Sequence, residues 1–506
     1  MANYHLNLTQ NWDVSSNRKV NSHTTSPPSN VSENEDCPGF YAYIEERPDE
    51  VVASVDHIRS LPLFYAVHDG ALYLSDRSDW IDSVIPSKRD RVSTAEYRNI
   101  GHVNGHRTRH PDIKQMLPGE VLRWKEGTLD ITRHFTFSYD HDKQKTVENV
   151  ATVASAAIER LIDYAGGRQI VLPLSGGLDS RIIAALLVKQ GHENLAAFTY
   201  GQPTSNEVQI AEERADALGI DWHFVNYDHA TWREWFRSEG RDRLYDLTGS
   251  LAGVPHIEMG PALSELADSP SIENDAIIVP GHSGDMIAGS HLPKQFQQKP
   301  RVSHDEVVQW MFDTHVSLGT FSKDTRPEII DRITNQLGIL SEVDSVTASE
   351  AVEAWDFRNR QPKYIISSMR AVEAYDFDWY LPLWDRDFVE FWCSVPLSQR
   401  VETRLYRKAI SDIWTDVTDE TIDEATATER SSLKGRGKKL IRGTLAESIL
   451  RVGYERLQQR RAYGNHPLAW YGVVPQDVFD DTYTGSEHIN AFVARERLGE
   501  ISFDQR

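Results

Sequence analysis

Cysteine is nearly missing from this chain: its 506 residues hold two, Cys37 and Cys393. Two thiols so far apart build neither a disulfide framework nor a cysteine-rich metal site. Long apolar runs are missing as well. No stretch approaches the roughly 18 residues a membrane-spanning helix needs, so no membrane partner is expected. The opening segment, MANYHLNLTQNWDVSSNRKV, has no apolar signal core, which makes the cytoplasm the default compartment. Positive charge is scarce too: 54 Lys and Arg face 76 Asp and Glu, a formal −22. That balance argues against general nucleic-acid binding and leaves open only a local basic groove.

What is present reads as a globular protein of two domains, because 506 residues exceed one ordinary core. Residues 22–35 are rich in Ser, Pro and Asn and predict a loop. From Gly39 to about Thr136, short β-rich runs alternate with turn residues, and only Thr94–Ile100 hints at a helix. A charged stretch, 141–150, marks the junction. Beyond it the pattern alternates: a helix over 147–164, a strand at 169–174, a helix at 179–190, strands at 195–200 and 222–225 around a helix at 206–218, and a short strand at 276–279. Such alternation predicts an α/β fold with a parallel sheet covered by helices on both faces. After residue 300 the chain reads as helical over 303–316, 324–337, 348–374, 386–394 and 403–414, and residues 429–442 are strongly basic. The expected domains are 1–145, mostly β, and 146–506, a nucleotide-handling α/β unit with a helical C-terminal part.

The chemistry concentrates where the strand at 169–174 stops. Leu174-Ser175-Gly176-Gly177-Leu178-Asp179-Ser180 is a tight turn entering a helix. It offers backbone N–H groups and hydroxyls at the positive end of a helix, a site for phosphate. Gly176 and Gly177 keep Cβ atoms out of the phosphate path. No lysine follows, so this is not the Gly-Lys-Ser/Thr nucleoside-triphosphate loop, nor is it the dinucleotide fingerprint. Asp179 stands where it could hold Mg²⁺ against a phosphate.

This stretch resembles the pyrophosphate loop of the N-type ATP pyrophosphatases, and most of all the asparagine synthetase and β-lactam synthetase family. Further blocks follow in the family's order. Phe198-Thr199-Tyr200-Gly201 resembles the strand end beside the nucleotide, with His223 further on, which reads here as a structural residue. Gly281-His282-Ser283-Gly284-Asp285 resembles a Gly-rich nucleotide loop, with His282 and Met286 where the family usually carries acids. The resemblance implies ATP and Mg²⁺ as cofactors, with Asp179 and Asp285 as the metal carboxylates and Leu174, Ser175, Gly176, Gly177, Asp179, Ser180, Thr199, Tyr200, Gly201, Gly281 and His282 around the nucleotide. The block 370–385 resembles the family's Glu-Ala-Arg and Pro-Phe-Leu-Asp block. By resemblance Glu373 is the candidate acid for deprotonating an attacking amine, with Tyr375 in place of Arg. Asp385 reads instead as a helix cap. Lys434 and Lys438, in a late Gly-rich loop, are the candidates to stabilise the tetrahedral intermediate, Lys434 first. Arg358, Arg360, Lys363 and Arg370 form a basic run, some at the surface and one a candidate for holding pyrophosphate or a substrate carboxylate. Trp355, Trp379, Tyr380 and Trp384 read as core.

Residues 59–64 and 117–120 resemble the later part of the family's glutaminase domain, yet residue 2 is Ala where that domain has its catalytic cysteine. The first domain is therefore expected to be a degenerate, structural Ntn-hydrolase-like unit. The resemblance implies an amide ligase that does not use glutamine. It would adenylate a small-molecule or peptide carboxylate and pass the acyl group to ammonia or an amine. Two alternatives stand beside it: a pyrophosphate-loop enzyme of tRNA or sulfur chemistry, against which the lack of paired cysteines and the acidic charge count, and a nucleotide-binding scaffold. The oligomeric state is not readable.

Overall fold

The structure, a computed structural model, describes residues 3–15, 17–25, 27, 39–140, 145–339, 341–420, 463, 464, 466–483 and 488–503. The N-terminal region builds two sheets. A four-stranded sheet runs in the order Tyr4–Asn7, Ala71–Ser75, Phe64–His68, Lys114–Gln115. A six-stranded antiparallel sheet runs Thr128–Arg133, Glu120–Lys125, Glu50–Val55, Phe40–Glu46, Arg18–His23, Asp13–Val14. Phe40–Glu46 sits inside this sheet and is buried on both faces, which is why its residues read as a continuous apolar run. Two helices accompany the sheets. Arg91–Ile100 starts at Asp90, which accepts from the Ser93 N–H, and ends at Gly101 with φ 90°. Ser78–Val84 was not foreseen from sequence, because seven residues with one buried aliphatic carry little periodicity.

The second sheet system is the one that positions the site. Five strands lie parallel in the order Asp221–Asn226, Leu195–Gly201, Ile170–Pro173, Ile277–Ile278, Asp378–Trp379. The central Ile170–Pro173 is short and apolar, as befits a strand covered on both faces. The helix Val147–Ala165 carries a Thr146/Asn149 capping box and stops at Gly166 in the left-handed region, φ 57°. The helix Asp179–Lys189 is buried from Ser180 through Leu187 and packs against the helices Val147–Ala165, Asn206–Leu218 and Arg404–Thr418. Its Ala- and Leu-rich sequence is that of an internal helix.

The architecture is thus mixed α/β, with a sheet-rich N-terminal region and a helical C-terminal stretch. Two expectations are corrected. The helix over 348–374 is broken: Ser345–Arg358 is α-helical, a π turn covers Gln361–Ile365, and 3-10 turns cover Ile366–Tyr375. The fifth strand of the parallel sheet then follows at Asp378–Trp379, in a stretch whose composition gave no strand signal. One hydrophobic core runs through both sheet systems, and Trp355, Trp379, Tyr380 and Trp384 are all buried. Polar ties cross the same boundary: Lys363 Nζ donates to the carbonyls of Val103 at 3.1 Å and Gly105 at 2.8 Å, and His57 Nε2 donates to that of Trp384 at 2.8 Å. Among the described residues no helix is long and apolar enough to cross a membrane.

Candidate active site

The strand Ile170–Pro173 delivers the chain to the carboxyl edge of the parallel sheet, where ligands of such sheets sit. There the turn folds on itself. Ser175 Oγ accepts from the Gly177 N–H at 3.1 Å, and Ser180 Oγ accepts from the Ser175 N–H at 3.3 Å. Arg214 braces it from outside, donating to the carbonyls of Ser175 at 2.7 Å and Gly177 at 3.2 Å. Burial, with Arg181 nearby, lowers the Arg214 guanidinium to about 9. No side chain caps the N-terminus of the helix Asp179–Lys189, so its first N–H groups keep their capacity for an anion. A Cβ on Gly176 would meet nothing closer than Ile210 at 3.9 Å, so open space lies over the loop.

The loop 280–285 closes the other side. A Cβ on Gly281 would lie 2.6 Å from the Ser180 nitrogen and 2.7 Å from Asp179 Cβ, so only glycine permits this approach. The approach brings Asp285 to Asp179. The Asp285 N–H donates to Asp179 Oδ2 at 3.1 Å, and the Tyr406 hydroxyl donates to Asp179 Oδ1 at 2.9 Å. Burial, and then the Asp285 carboxylate, push the Asp179 carboxyl well above its ordinary range. Two carboxylates held together in this way repel one another, which a cation would relieve. The set fits Mg²⁺, which takes one or two carboxylates and completes its shell with phosphate and water. Among the described residues no larger metal-ligating cluster exists.

A cavity of about 480 Å³ joins these parts. Leu174, Ser175, Gly177, Asp179, Ser180, Thr199, Tyr200, Gly281, His282 and Asp285 line it. Thr199 also serves the sheet edge: its hydroxyl donates to the Leu174 carbonyl at 2.7 Å and accepts from Trp222 Nε1 at 3.0 Å. Gly201 lies beside the cavity wall with φ 142°, where a Cβ would stand 3.3 Å from the Pro467 carbonyl. A second chamber of about 470 Å³ opens from the first and shares Asp179, Tyr200, Met259, Gly281, His282 and Asp285 with it. Burial lowers His282 to about 4, so its imidazole is neutral, and its Nδ1 has no hydrogen-bond partner among the described residues.

Other expected site residues lie elsewhere. Glu373 lines neither cavity. Its carboxylate accepts from Arg370 at 3.2 Å, Trp379 Nε1 at 3.0 Å and Asn11 at 3.2 Å. The 3-10 turns point it toward Asn11 of the N-terminal region, outside both cavities. Tyr375 accepts from Trp235 Nε1 at 2.6 Å. Asp385 accepts from the Asp387 N–H at 3.1 Å as a helix cap and pairs with Arg160 at 2.6 Å. Lys363 and Arg370 are taken up in buried contacts, whereas Arg360 faces the second chamber. Lys434 and Lys438 lie outside the described residues. Tyr406 was missed from sequence: a lone tyrosine in an amphipathic helix carries no signal of its own.

Comparison with known proteins bears on the same region. A family model described as asparagine synthase matches residues 164–238, which hold the loop and the first three strands of the parallel sheet. The tRNA-specific 2-thiouridylase of a Synechococcus strain is 28% identical over 38% of this chain and 48% of its own length. That of Chromobacterium violaceum is 33% identical over 16% of this chain and 21% of its own length. The chain thus spans about half or less of the curated relatives it matches. Among solved structures, a predicted tRNA methyltransferase subunit from Methanocaldococcus jannaschii shows 19% identity over 32% of this chain and 74% of that one, at a TM-score of 0.15. A Bacillus subtilis glutamine phosphoribosylpyrophosphate amidotransferase shows 10% identity over 48% of each chain, also at 0.15. Scores this low carry no argument. The sequence matches give the chain an affinity with ATP-using pyrophosphate-loop enzymes, and they point more strongly to the tRNA thiouridylases than to the asparagine synthetases. The expectation of no general nucleic-acid binding is thereby withdrawn, because the curated relatives are tRNA-specific enzymes. Net charge averages the whole surface, and −22 says nothing about one groove.

Proposed function

We propose that this chain is an ATP-dependent adenylating enzyme that releases pyrophosphate and then AMP. The opposed pair Asp179 and Asp285, at the mouth of an uncapped helix within a glycine-walled cavity, carries this reading. The N–H groups of residues 175–180 would hold the β- and γ-phosphates. Mg²⁺ between the two carboxylates would neutralise charge on the pyrophosphate. An acceptor oxygen entering from the second chamber attacks the α-phosphorus, and the P–O bond to pyrophosphate breaks. A second nucleophile then attacks the adenylated carbon and AMP departs with the bonding pair.

Two acceptor classes have support. A tRNA base carbonyl, adenylated before a sulfur nucleophile arrives, is favoured by the curated relatives and stands first. Such chemistry would take its sulfur from a donor other than Cys393, which is buried with its thiol pushed up to about 12. A carboxylate, giving an amide, is favoured by the asparagine synthase match over 164–238. In this second reading the N-terminal sheets act as a structural support.

The deciding measurement is exchange of labelled pyrophosphate into ATP, with total tRNA in one arm and pooled small carboxylic acids in the other. Exchange in the tRNA arm supports base activation, and exchange in the acid arm supports amide ligation. ATP bound with no exchange in either arm, even with ammonia or sulfide added, rejects the adenylating reading.

A further inference from the structure

The second chamber holds a cation with no directly bonded partner, although its charge helps to lower the neighbouring Asp356 carboxyl. Arg360 lies one residue beyond Asn359, the cap of the helix Ser345–Arg358, where the chain enters the π turn. It is half-buried and lines the second chamber but not the nucleotide cavity. No described residue hydrogen-bonds or ion-pairs with its guanidinium, in contrast to Arg370 and Arg400, which are held by Glu373 and Glu353 at 3.2 and 2.8 Å. The nearby acid, Asp356, is already committed: His291 Nδ1 lies 2.5 Å from it and Gln361 donates to it at 3.4 Å. A guanidinium presents five donors in a fixed fork shaped for an oxyanion, and leaving them unused inside a cavity is costly.

Position adds the second half of the argument. The walls shared by the two cavities are Asp179, Tyr200, Met259, Gly281, His282 and Asp285, where on the adenylation reading an acceptor meets the α-phosphate. Arg360 lies beyond them, on the part of the wall that belongs to the second chamber alone. A group held by Arg360 is therefore not the oxygen that attacks.

We propose that Arg360 is an oxyanion-binding residue, and that the acceptor carries an anionic group, carboxylate or phosphate, in addition to the oxygen it presents for adenylation. The inference rests on the adenylation reading for the meaning of the chamber, while the binding it predicts does not require turnover. A chamber of about 470 Å³ suits a small acid or a single nucleotide unit. The anion has two sources, a small metabolite or the phosphate of a nucleotide in RNA.

The test is calorimetric titration of the full chain, with and without Mg²⁺ and a non-hydrolysable ATP analogue, against malonate, citrate, ribose 5-phosphate, and uridine beside uridine monophosphate. The expected result is binding of at least one anionic probe, weakened about tenfold or more in Arg360→Met. Arg360→Lys should lose less. The ATP analogue should bind both variants as it binds the parent. A preference for uridine monophosphate over uridine assigns the anion to a nucleotide, and a preference for malonate or citrate assigns it to a small acid. Equal anion binding by parent and Arg360→Met overturns the proposal, as does failure of every anionic probe to bind the parent. Should the ATP analogue alone fail to bind, the adenylation reading falls while anion binding at Arg360 is still decided. A melting temperature matching the parent's excludes misfolding of the variants.

Discussion

The two edges of the parallel sheet each hold a half-buried carboxylate, and they treat it in opposite ways. At the amino edge, Asp378 accepts from Tyr164 at 2.5 Å, His23 at 2.7 Å and Arg168 at 2.8 Å. Burial opposes ionisation there, but His23, Tyr164 and Arg168 overcome it and hold the carboxyl well below its usual range. At the carboxyl edge, Asp179 has one hydroxyl and backbone N–H groups for company, with a second carboxylate opposite, and its carboxyl is pushed up. The first is a finished structural contact that ties the N-terminal sheet to the parallel one. The second is incomplete as protein alone, and incompleteness of that kind marks a place for a ligand. Burial by itself does not separate the two; the sign of the shift does.

The comparison breaks most completely at Asp179. Asp179→Asn removes the like-charge pair and, with it, the cation site. Pyrophosphate exchange should fall about a hundredfold to a thousandfold, by analogy with losing one transition-state electrostatic contact. Stability should move the other way. A carboxyl raised in the folded state contributes fully below its unfolded value of about 4 and loses that contribution as pH climbs through the raised value. Without nucleotide, Asp179→Asn should therefore melt above the parent at pH 8, with the gap closing toward pH 5. Calorimetry at both pH values checks this, and a variant that melts lower at pH 8 would refute the incomplete-site reading.

Asp378→Ala is the mirror experiment. It leaves Arg168 and Tyr164 without their acceptor, and breaking one side of such a pair costs about 3–5 kcal/mol when buried. Some solvent reaches Asp378, so the lower end is expected. The pH dependence also reverses: a depressed carboxyl stabilises above its unfolded value of about 4 and loses that as pH falls. Parent and variant should therefore converge in denaturant midpoint on acidification. ATP-analogue affinity of the folded variant should stay at the parent's level, because the change lies at the far edge of the sheet.

Legibility in the sequence followed the same division. The strand, turn and helix around Ser175 could be read because a short apolar strand, two glycines and an Ala-rich helix each have a local physical reason, and those reasons agree. Asp285 and Gly281 were expected only through the resemblance to a family's Gly-rich loop, and the fold sets that loop against Asp179. Strand Asp378–Trp379 could not, since two residues pair only through neighbours supplied by distant parts of the chain. The surroundings of Glu373 were hidden for a related reason. Its neighbour Arg370 is one turn away, but Asn11 comes from the other end of the protein. The partner class was misread because composition reports an average field, whereas recognition is local.

Tyr406→Phe sharpens the contrast by removing the one side-chain donor Asp179 has. The helix Arg404–Thr418 brings this hydroxyl in, and burial together with Asp179 raises its pKa well above the ordinary tyrosine range, so it remains a donor at all working pH values. The phenyl ring keeps the packing. Loss of one hydrogen bond to a charged group corresponds to about 1.5–3 kcal/mol. The effect should show as weaker Mg²⁺ dependence of ATP-analogue binding, roughly tenfold or more, with affinity in the absence of Mg²⁺ barely changed. An equal drop in both conditions would make Tyr406 a packing residue and nothing more.

The smallest effect is expected where the same two helices meet at the surface. Lys189 closes the loop helix and reaches Asp416 at 2.5 Å, with side chains 48% and 62% exposed. Geometry alone would rank this contact beside the Asp378 cluster. Solvent decides otherwise: water and salt screen an exposed pair, and ordering two mobile side chains consumes most of the gain. Lys189→Ala should shift stability by no more than about 0.5 kcal/mol and leave nucleotide binding untouched. Measured at low and at high salt, even that difference should shrink as ionic strength rises. A large, salt-insensitive loss would mean that the helix pair depends on this contact, and Tyr406 would then no longer be the link that matters between the helix and the site.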